Sequence, residues 1–210
     1  MTTRAAKRGM DITVALIGLL LLSLPLALLA VLIKLDSRGP VFFRQERIGR
    51  GGRPFLIYKL RTMENCSSDS GLGARTSRDD ARITRSGRLL REFSLDELPQ
   101  LINVLTGDMS LVGPRPTLRH QVEQYTPHQR RRLEARPGIT SWASVNGRNA
   151  LSWEDRIEMD VWYVDRASVW LDVRILFRTL WVAFVTREGV YSQGANDDFG
   201  RKQHGGNNLP

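Results

Sequence analysis

The sequence predicts an α+β fold, mostly helical, and three observations predict it. An uncharged run from Ile12 to Ile33 sets aside one long apolar helix. Two short segments flanking a glycine cluster read as a single β-hairpin, and two further apolar stripes, Leu98 to Leu105 and Val173 to Phe184, repeat at three and four positions, the helical spacing. The chain has 210 residues, 41% of them hydrophobic, which is room for one globular domain beside that helix. A single cysteine, Cys66, excludes a disulfide framework and reads as a free thiol in a reducing compartment. His120, His128 and His204 lack the spacing of a zinc site.

The apolar run holds 22 residues, roughly 33 Å of helix at about 1.5 Å per residue, which matches the hydrocarbon thickness of a bilayer. It is too long for the core of a signal peptide, and Lys34, Asp36 and Arg38 follow it with no small-residue cleavage site, so it is expected to stay attached. Both flanks are cationic: Arg4, Lys7 and Arg8 before it, Lys34, Arg38, Arg44 and Arg47 after it. A simple span would put one cationic flank outside, against the positive-inside bias, whereas a hairpin dipping into one leaflet keeps both in the cytoplasm. Pro25 removes a backbone donor in mid-run and Ser23 offers a hydroxyl to a freed carbonyl, so a bend is available there. A straight span with a mild proline kink fits these residues as well.

Lys and Arg number 31 against 22 Asp and Glu, a net charge of +9, and the surplus has an address. Lys34 to Arg91 holds fourteen cations and six acids, a density that seeks phosphate on nucleic acid, lipid or a nucleotide. Residues 41–48 and 54–61 read as the two strands, joined through Gly49, Gly51 and Gly52. On the second strand Lys59 and Arg61 share a face by the period of two, where they can straddle a phosphate or form a solvated edge. Residues 64–82 are polar and rich in Gly and Ser, a mobile loop of the length that often covers a site. A helix is expected over 84–92, and another opening at Ser94 with the stripe Leu98, Leu101, Ile102 and Leu105 and a stop at Gly107. Pro114 and Pro116 then give Arg115 a stiff mount.

All five tryptophans lie in the last third. One helix is capped by Ser152 with Asp155 at its third position, and one runs over 168–185 with Val173, Leu176, Leu180 and Phe184 along one side and Asp172, Arg174 and Arg178 elsewhere. Tryptophan and arginine on short apolar helices fit elements lying in the headgroup plane, and they fit an ordinary aromatic core equally well. The tail beyond Gln193 is rich in Gly and Asn and reads as disordered. No Walker or Rossmann glycine pattern occurs.

The chemistry centres on Asp96 and Glu97, an adjacent acidic pair near Lys59, Arg61, Arg85, Arg88, Arg91 and Arg115 in sequence. Ser94 with Glu97 three residues on also reads as a plain capping box. Among so many cations, however, the two carboxylates can hold Mg²⁺ with substrate phosphates or act directly on phosphorus. A carboxylate can be the nucleophile in such chemistry. A non-catalytic, membrane-tethered basic module that binds anionic lipid or nucleic acid is the competing reading.

The stretches KRGMD (7–11), IKLDSRGPVFFRQERIG (33–49), YKLRTM (58–63), RITRSGRLLR (82–91), SLDELPQLINVLTGDMSLVGPRP (94–116), RPGIT (136–140), NGRN (146–149) and DVWYVDRASVWLDVRIL (160–176) resemble the bacterial sugar transferases of the small monotopic phosphoglycosyl transferase type. The resemblance implies a membrane helix over 1–36, a cytoplasmic catalytic domain over 37–190 on the inner-membrane face, and a tail over 191–210. It implies transfer of a sugar phosphate from a UDP-sugar donor to a polyprenyl phosphate acceptor with release of UMP, and no nucleic acid partner. Asp96 would be the nucleophile, with Glu97 beside it and Mg²⁺ bound at the pair. Lys59, Arg61 and Arg115 would hold phosphates, while Arg148, Asp160 and Tyr163 would lie near the donor. In the family the apolar helix re-enters at a Ser-Pro pair; here Leu24 separates Ser23 from Pro25.

Overall fold

The whole apolar run and its first cationic flank form one helix, α1 (Thr2–Asp36), in a computed structural model that describes residues 2–64, 80–147 and 151–182. The segment expected to be a mobile loop falls mostly on 65–79, and the tail, Phe184 and Arg148 also lie outside the described residues. Helical geometry continues through Pro25, so the expected bend near Ser23 and Pro25 is not a break in the helix. Pro25 leaves the Leu21 carbonyl without its usual donor. The Ser23 hydroxyl instead donates to the neighbouring Leu20 carbonyl at 2.8 Å.

One face of α1 packs on the domain through Ala15 and Ile33, and the other leaves Leu20, Leu21, Leu24 and Leu28 exposed. Both ends are tied to the same folded body. Near the start, Lys7 donates to Asp172 at 2.6 Å and to the Val112 carbonyl at 3.0 Å. Arg8 donates to the carbonyls of Val104 and Leu105, and buried Asp11 accepts from the Ser110 hydroxyl and the Leu111 amide. At the far end Asp36 accepts from the amide and hydroxyl of Ser86 at 2.8 and 2.7 Å.

Strands β1 (Phe42–Ile48) and β2 (Pro54–Leu60) pair antiparallel, as the sequence predicts, with Phe43 opposite Lys59 and Arg47 opposite Phe55. Gly51 and Gly52 take positive φ in the connection, where a side chain would strain the turn. Helix α2 (Arg85–Glu92) is capped by the Thr84 hydroxyl, which accepts from the Gly87 amide. Helix α3 (Gln100–Thr106) stops at Gly107, whose φ of 93° closes a left-handed end.

A second sheet escaped the sequence reading: β3 (Ser110–Val112) and β4 (Gly138–Thr140) pair in parallel. Three residues each are too few to show a period of two. Short helices α4 (Arg119–Glu123) and α5 (Pro127–Arg130) connect them, and α6 (Trp142–Val145) follows. Helix α7 (Trp153–Arg166) begins at Ser152, whose hydroxyl accepts from the Asp155 amide as expected. Helix α8 (Val169–Trp181) turns Asp172 and Ile175 inward and leaves Trp170, Phe177, Leu180 and Trp181 exposed. Asp172, off the apolar stripe read from the sequence, is buried, and Lys7 and the Tyr163 hydroxyl meet its carboxylate. Ala15, Ile57, Val104, Met109, Val112 and Ile175 belong to one core that joins α1, the hairpin, α3, β3 and α8.

Candidate active site

The acidic pair does not open a capped helix. Ser94 sits in the left-handed region at φ 56°, and its side chain makes no capping bond, so the capping box read from the sequence is not formed. Leu95–Glu97 makes a single 3₁₀ turn before Pro99 starts α3. A non-glycine residue in that conformation costs roughly 1–2 kcal/mol, a strain of the kind found at functional turns. The consequence is chemical: the Glu97 carboxylate, released from capping, faces the hairpin and the Pro-mounted arginine.

Glu97 accepts from Lys59 Nζ at 2.8 Å and from Arg115 Nη2 at 2.6 Å. Burial alone would push its carboxyl up, but Arg115 and Lys59 together outweigh burial and hold it far below the ordinary value of 4.5. Asp96 is placed differently. No hydrogen bond from any described residue reaches its carboxylate. Burial and the neighbouring Glu97 charge push its carboxyl up, while Lys59, Arg91 and Arg115 pull it back. One carboxylate is clamped and the other is uncommitted, and both lie in the field of the same cations.

Arg115 is itself held from behind. Arg132, 3% exposed, donates from Nη2 to the Arg115 carbonyl at 3.0 Å and forms a buried ion pair with Asp160. Its other terminal nitrogen donates to the Tyr125 hydroxyl at 2.5 Å, and that hydroxyl bonds Thr117 at 3.2 Å. Asp160 is therefore a buried support of Arg115. Burial pushes its carboxyl up, and the Arg132 guanidinium against it pulls it back. No pattern in the sequence marked Arg132, which sits in an ordinary cationic run.

The structure brings Asp96, Glu97, Lys59 and Arg115 together and directs two other expected site residues elsewhere. Strand β2 ends at Leu60, so Arg61 leaves the face of Lys59 and turns to α1. There its guanidinium donates to the carbonyls of Ile33, Ser37 and Arg38 at 3.3, 2.7 and 2.7 Å, closing the C-terminal end of that helix. Tyr163, 1% exposed, donates to Asp172 at 2.5 Å beside the Val112 carbonyl, in the network that also binds Lys7.

An uncommitted carboxylate among cations, carried by a domain that is fastened to a long apolar helix, defines a membrane-associated protein whose site suits phosphate-bearing substrates. The family described as bacterial sugar transferase matches residues 2–186, and the chain belongs to that family. It is 47% identical over 184 residues to an uncharacterized sugar transferase, EpsL, of Bacillus subtilis, covering 88% of this chain and 89% of that protein. It is 47% identical over 181 residues to the UDP-N-acetylgalactosamine-undecaprenyl-phosphate N-acetylgalactosaminephosphotransferase of Aeromonas hydrophila, over 83% of this chain and 42% of that protein. It is 42% identical over 192 residues to the UDP-glucose:undecaprenyl-phosphate glucose-1-phosphate transferase of Escherichia coli, over 88% of this chain and 41% of that protein. The chain thus spans about two fifths of the length of the last two relatives. No observation favours the non-catalytic basic module.

Proposed function

We propose that the protein transfers a sugar phosphate from a UDP-sugar to a polyprenyl phosphate and releases UMP. The observation that carries this reading is the inequality of the two acids: Glu97 is held by Lys59 and Arg115, whereas no hydrogen bond from a described residue reaches the Asp96 carboxylate. An Asp96 oxygen attacks the sugar-bearing phosphorus, the bond from that phosphorus to the bridging oxygen breaks, and UMP leaves with the electron pair. An oxygen of the lipid phosphate then attacks the same phosphorus and frees the Asp96 carboxylate. One phosphorus–oxygen bond forms and one breaks in each half, so no further energy source is needed. Lys59 and Arg115, preorganised on Glu97, neutralise charge on the phosphoryl oxygens.

The donor set also fits Mg²⁺, which commonly takes one or two carboxylates and completes its shell with phosphates and water. Among the described residues no group of three or more His, Cys, Asp or Glu could hold a metal, so the protein's share would be Asp96 and Glu97. Bound there, Mg²⁺ would supply charge neutralisation on the phosphates. Arg148 remains a proposed donor-side residue.

The anchoring of α1 supports a one-sided arrangement in the membrane. Its two ends are bound by polar side chains of one folded body, at Lys7, Arg8 and Asp11 and again at Asp36. A polar domain cannot lie on both faces of a bilayer at once, so both flanks belong to one face, the cytoplasmic one by their positive charge. The exposed leucines of α1 and the Trp170, Phe177 and Trp181 stripe of α8 then meet lipid. A site at the headgroups meets its lipid phosphate in two dimensions.

The test is UMP release by purified protein in a membrane mimic given UDP-sugar and polyprenyl phosphate. Asp96→Asn should lower turnover by on the order of 10⁴-fold or more. Mass spectrometry of enzyme held with donor alone should find a phosphosugar on Asp96, and an Asn variant with full turnover would overturn the assignment.

A further inference from the structure

Arg47 is a cation beside the site that the mechanism does not use. Its strand ends in a bond from the Ile48 amide to the Thr117 carbonyl at 2.9 Å, which lays Arg47 alongside the segment that carries Arg115. Paired residues of an antiparallel ladder share a face, so Arg47, opposite Phe55, projects from the same face as Lys59, the face that buries Ile57. The hydrogen bond of its side chain goes to a neutral group, Gln45 Oε1, at 2.6 Å. Among the described residues no carboxylate lies within ion-pair distance of it.

Helix α7 brings a second cation to the same arginine. Arg156 stands one turn before Asp160, over the ring of Trp153 at 5.4 Å. Asp160 is paired with Arg132 through Oδ2, and the same Arg132 nitrogen holds the Arg115 carbonyl, so this turn of α7 lies against the base of Arg115. The Arg115 guanidinium repels both Arg47 and Arg156. Burial and Arg115 hold Arg47 down to about 10 against the pull of Glu97, and burial and Arg115 lower Arg156 against the pull of Asp160. The ion-pair partner of Arg115 is Glu97, which it shares with Lys59. Such a concentration of guanidinium charge is relieved by an anion carrying more than one negative charge and several oxygens, and the planar fork of arginine matches phosphate.

We propose that Arg47, Arg115 and Arg156 form a second anion subsite, beside the Asp96–Glu97 turn, that takes a phosphate group. Its identity rests on the transferase reading: it is either the uridine-bearing phosphate that leaves as UMP or the headgroup phosphate of the acceptor, which offer the same oxygens.

The experiment titrates the full chain in detergent with inorganic pyrophosphate and with UMP by calorimetry, and measures KM for each substrate. Arg47→Gln and Arg156→Gln should each weaken pyrophosphate binding about 10-fold and the double variant about 100-fold, the scale of lost charge-assisted bonds. Arg47→Lys should recover part of the loss by restoring the charge without the fork, and it carries the test if a Gln variant fails to melt cooperatively. Arg119→Gln, which breaks an exposed pair with Glu46, should bind like the parent. Weaker UMP binding with a raised donor KM assigns the nucleotide phosphate, and a rise confined to the acceptor KM assigns the lipid phosphate. A folded double variant that binds pyrophosphate like the parent overturns the subsite. Full turnover by Asp96→Asn would overturn the transferase reading instead and leave the pyrophosphate result standing.

Discussion

Glu97 and Arg132 show how single residues set the site. Glu97 is charged in the fold well below the pH at which a free glutamate protonates, because Arg115 and Lys59 outweigh its burial. A lowered carboxyl contributes stability that is complete above the ordinary value of 4.5 and is lost as pH falls below it. Denaturant midpoints followed downward through pH 4.5 should therefore fall more steeply in the parent than in Glu97→Gln; parallel curves would remove Glu97 from the acid limb. Arg132 makes a stability prediction of another kind. Arg132→Ala leaves the Asp160 charge buried and unpaired and should cost about 3–5 kcal/mol in a denaturant titration. Replacing both partners, Arg132→Met with Asp160→Leu, should recover much of that loss, since no buried charge remains. Asp96 and Glu97 were legible as a candidate site from their cationic company, yet nothing in the residues told the clamped acid from the uncommitted one. That distinction depends on Ser94 turning left-handed, which no local rule predicts for a serine.

Among the elements, those with strong local signals formed where the sequence placed them. The hairpin, α2, the Gly107 stop of α3 and the Ser152 cap of α7 each rest on neighbouring residues. The parallel pair β3 and β4 was invisible because its strands are three residues long and lie far apart in sequence. Its closeness is set by glycine. A Cβ on Gly138 would lie 2.1 Å from the Gly113 nitrogen, a backbone atom that cannot move aside. Gly138→Ala should therefore cost at least the ~3 kcal/mol of severe overpacking, read as a fall in melting temperature. An unchanged melt would mean that the strands separate freely. Arg61 belongs to this scale as well: ending β2 one residue early sent it to α1, where it closes a helix.

The whole molecule joins a long apolar helix to a basic domain at both ends of the helix. Cysteines placed at Arg4 and Arg38 in a Cys66→Ser background should react with an impermeant reagent from the same side of the membrane. Labelling from opposite faces would replace the one-sided arrangement with a true span. The apolar helix, the hairpin, the basic middle and the acidic pair were determined by sequence alone, because hydrophobic run length, glycine placement and charge density are properties of adjacent residues. Only the tertiary structure decided that both ends of α1 dock on one body, that Asp172 and Asp160 lie inside, and that Arg115 is braced by a distant arginine. Those outcomes pair residues from 17 to 165 positions apart, and a buried charge is tolerated only where its partner arrives from elsewhere in the chain.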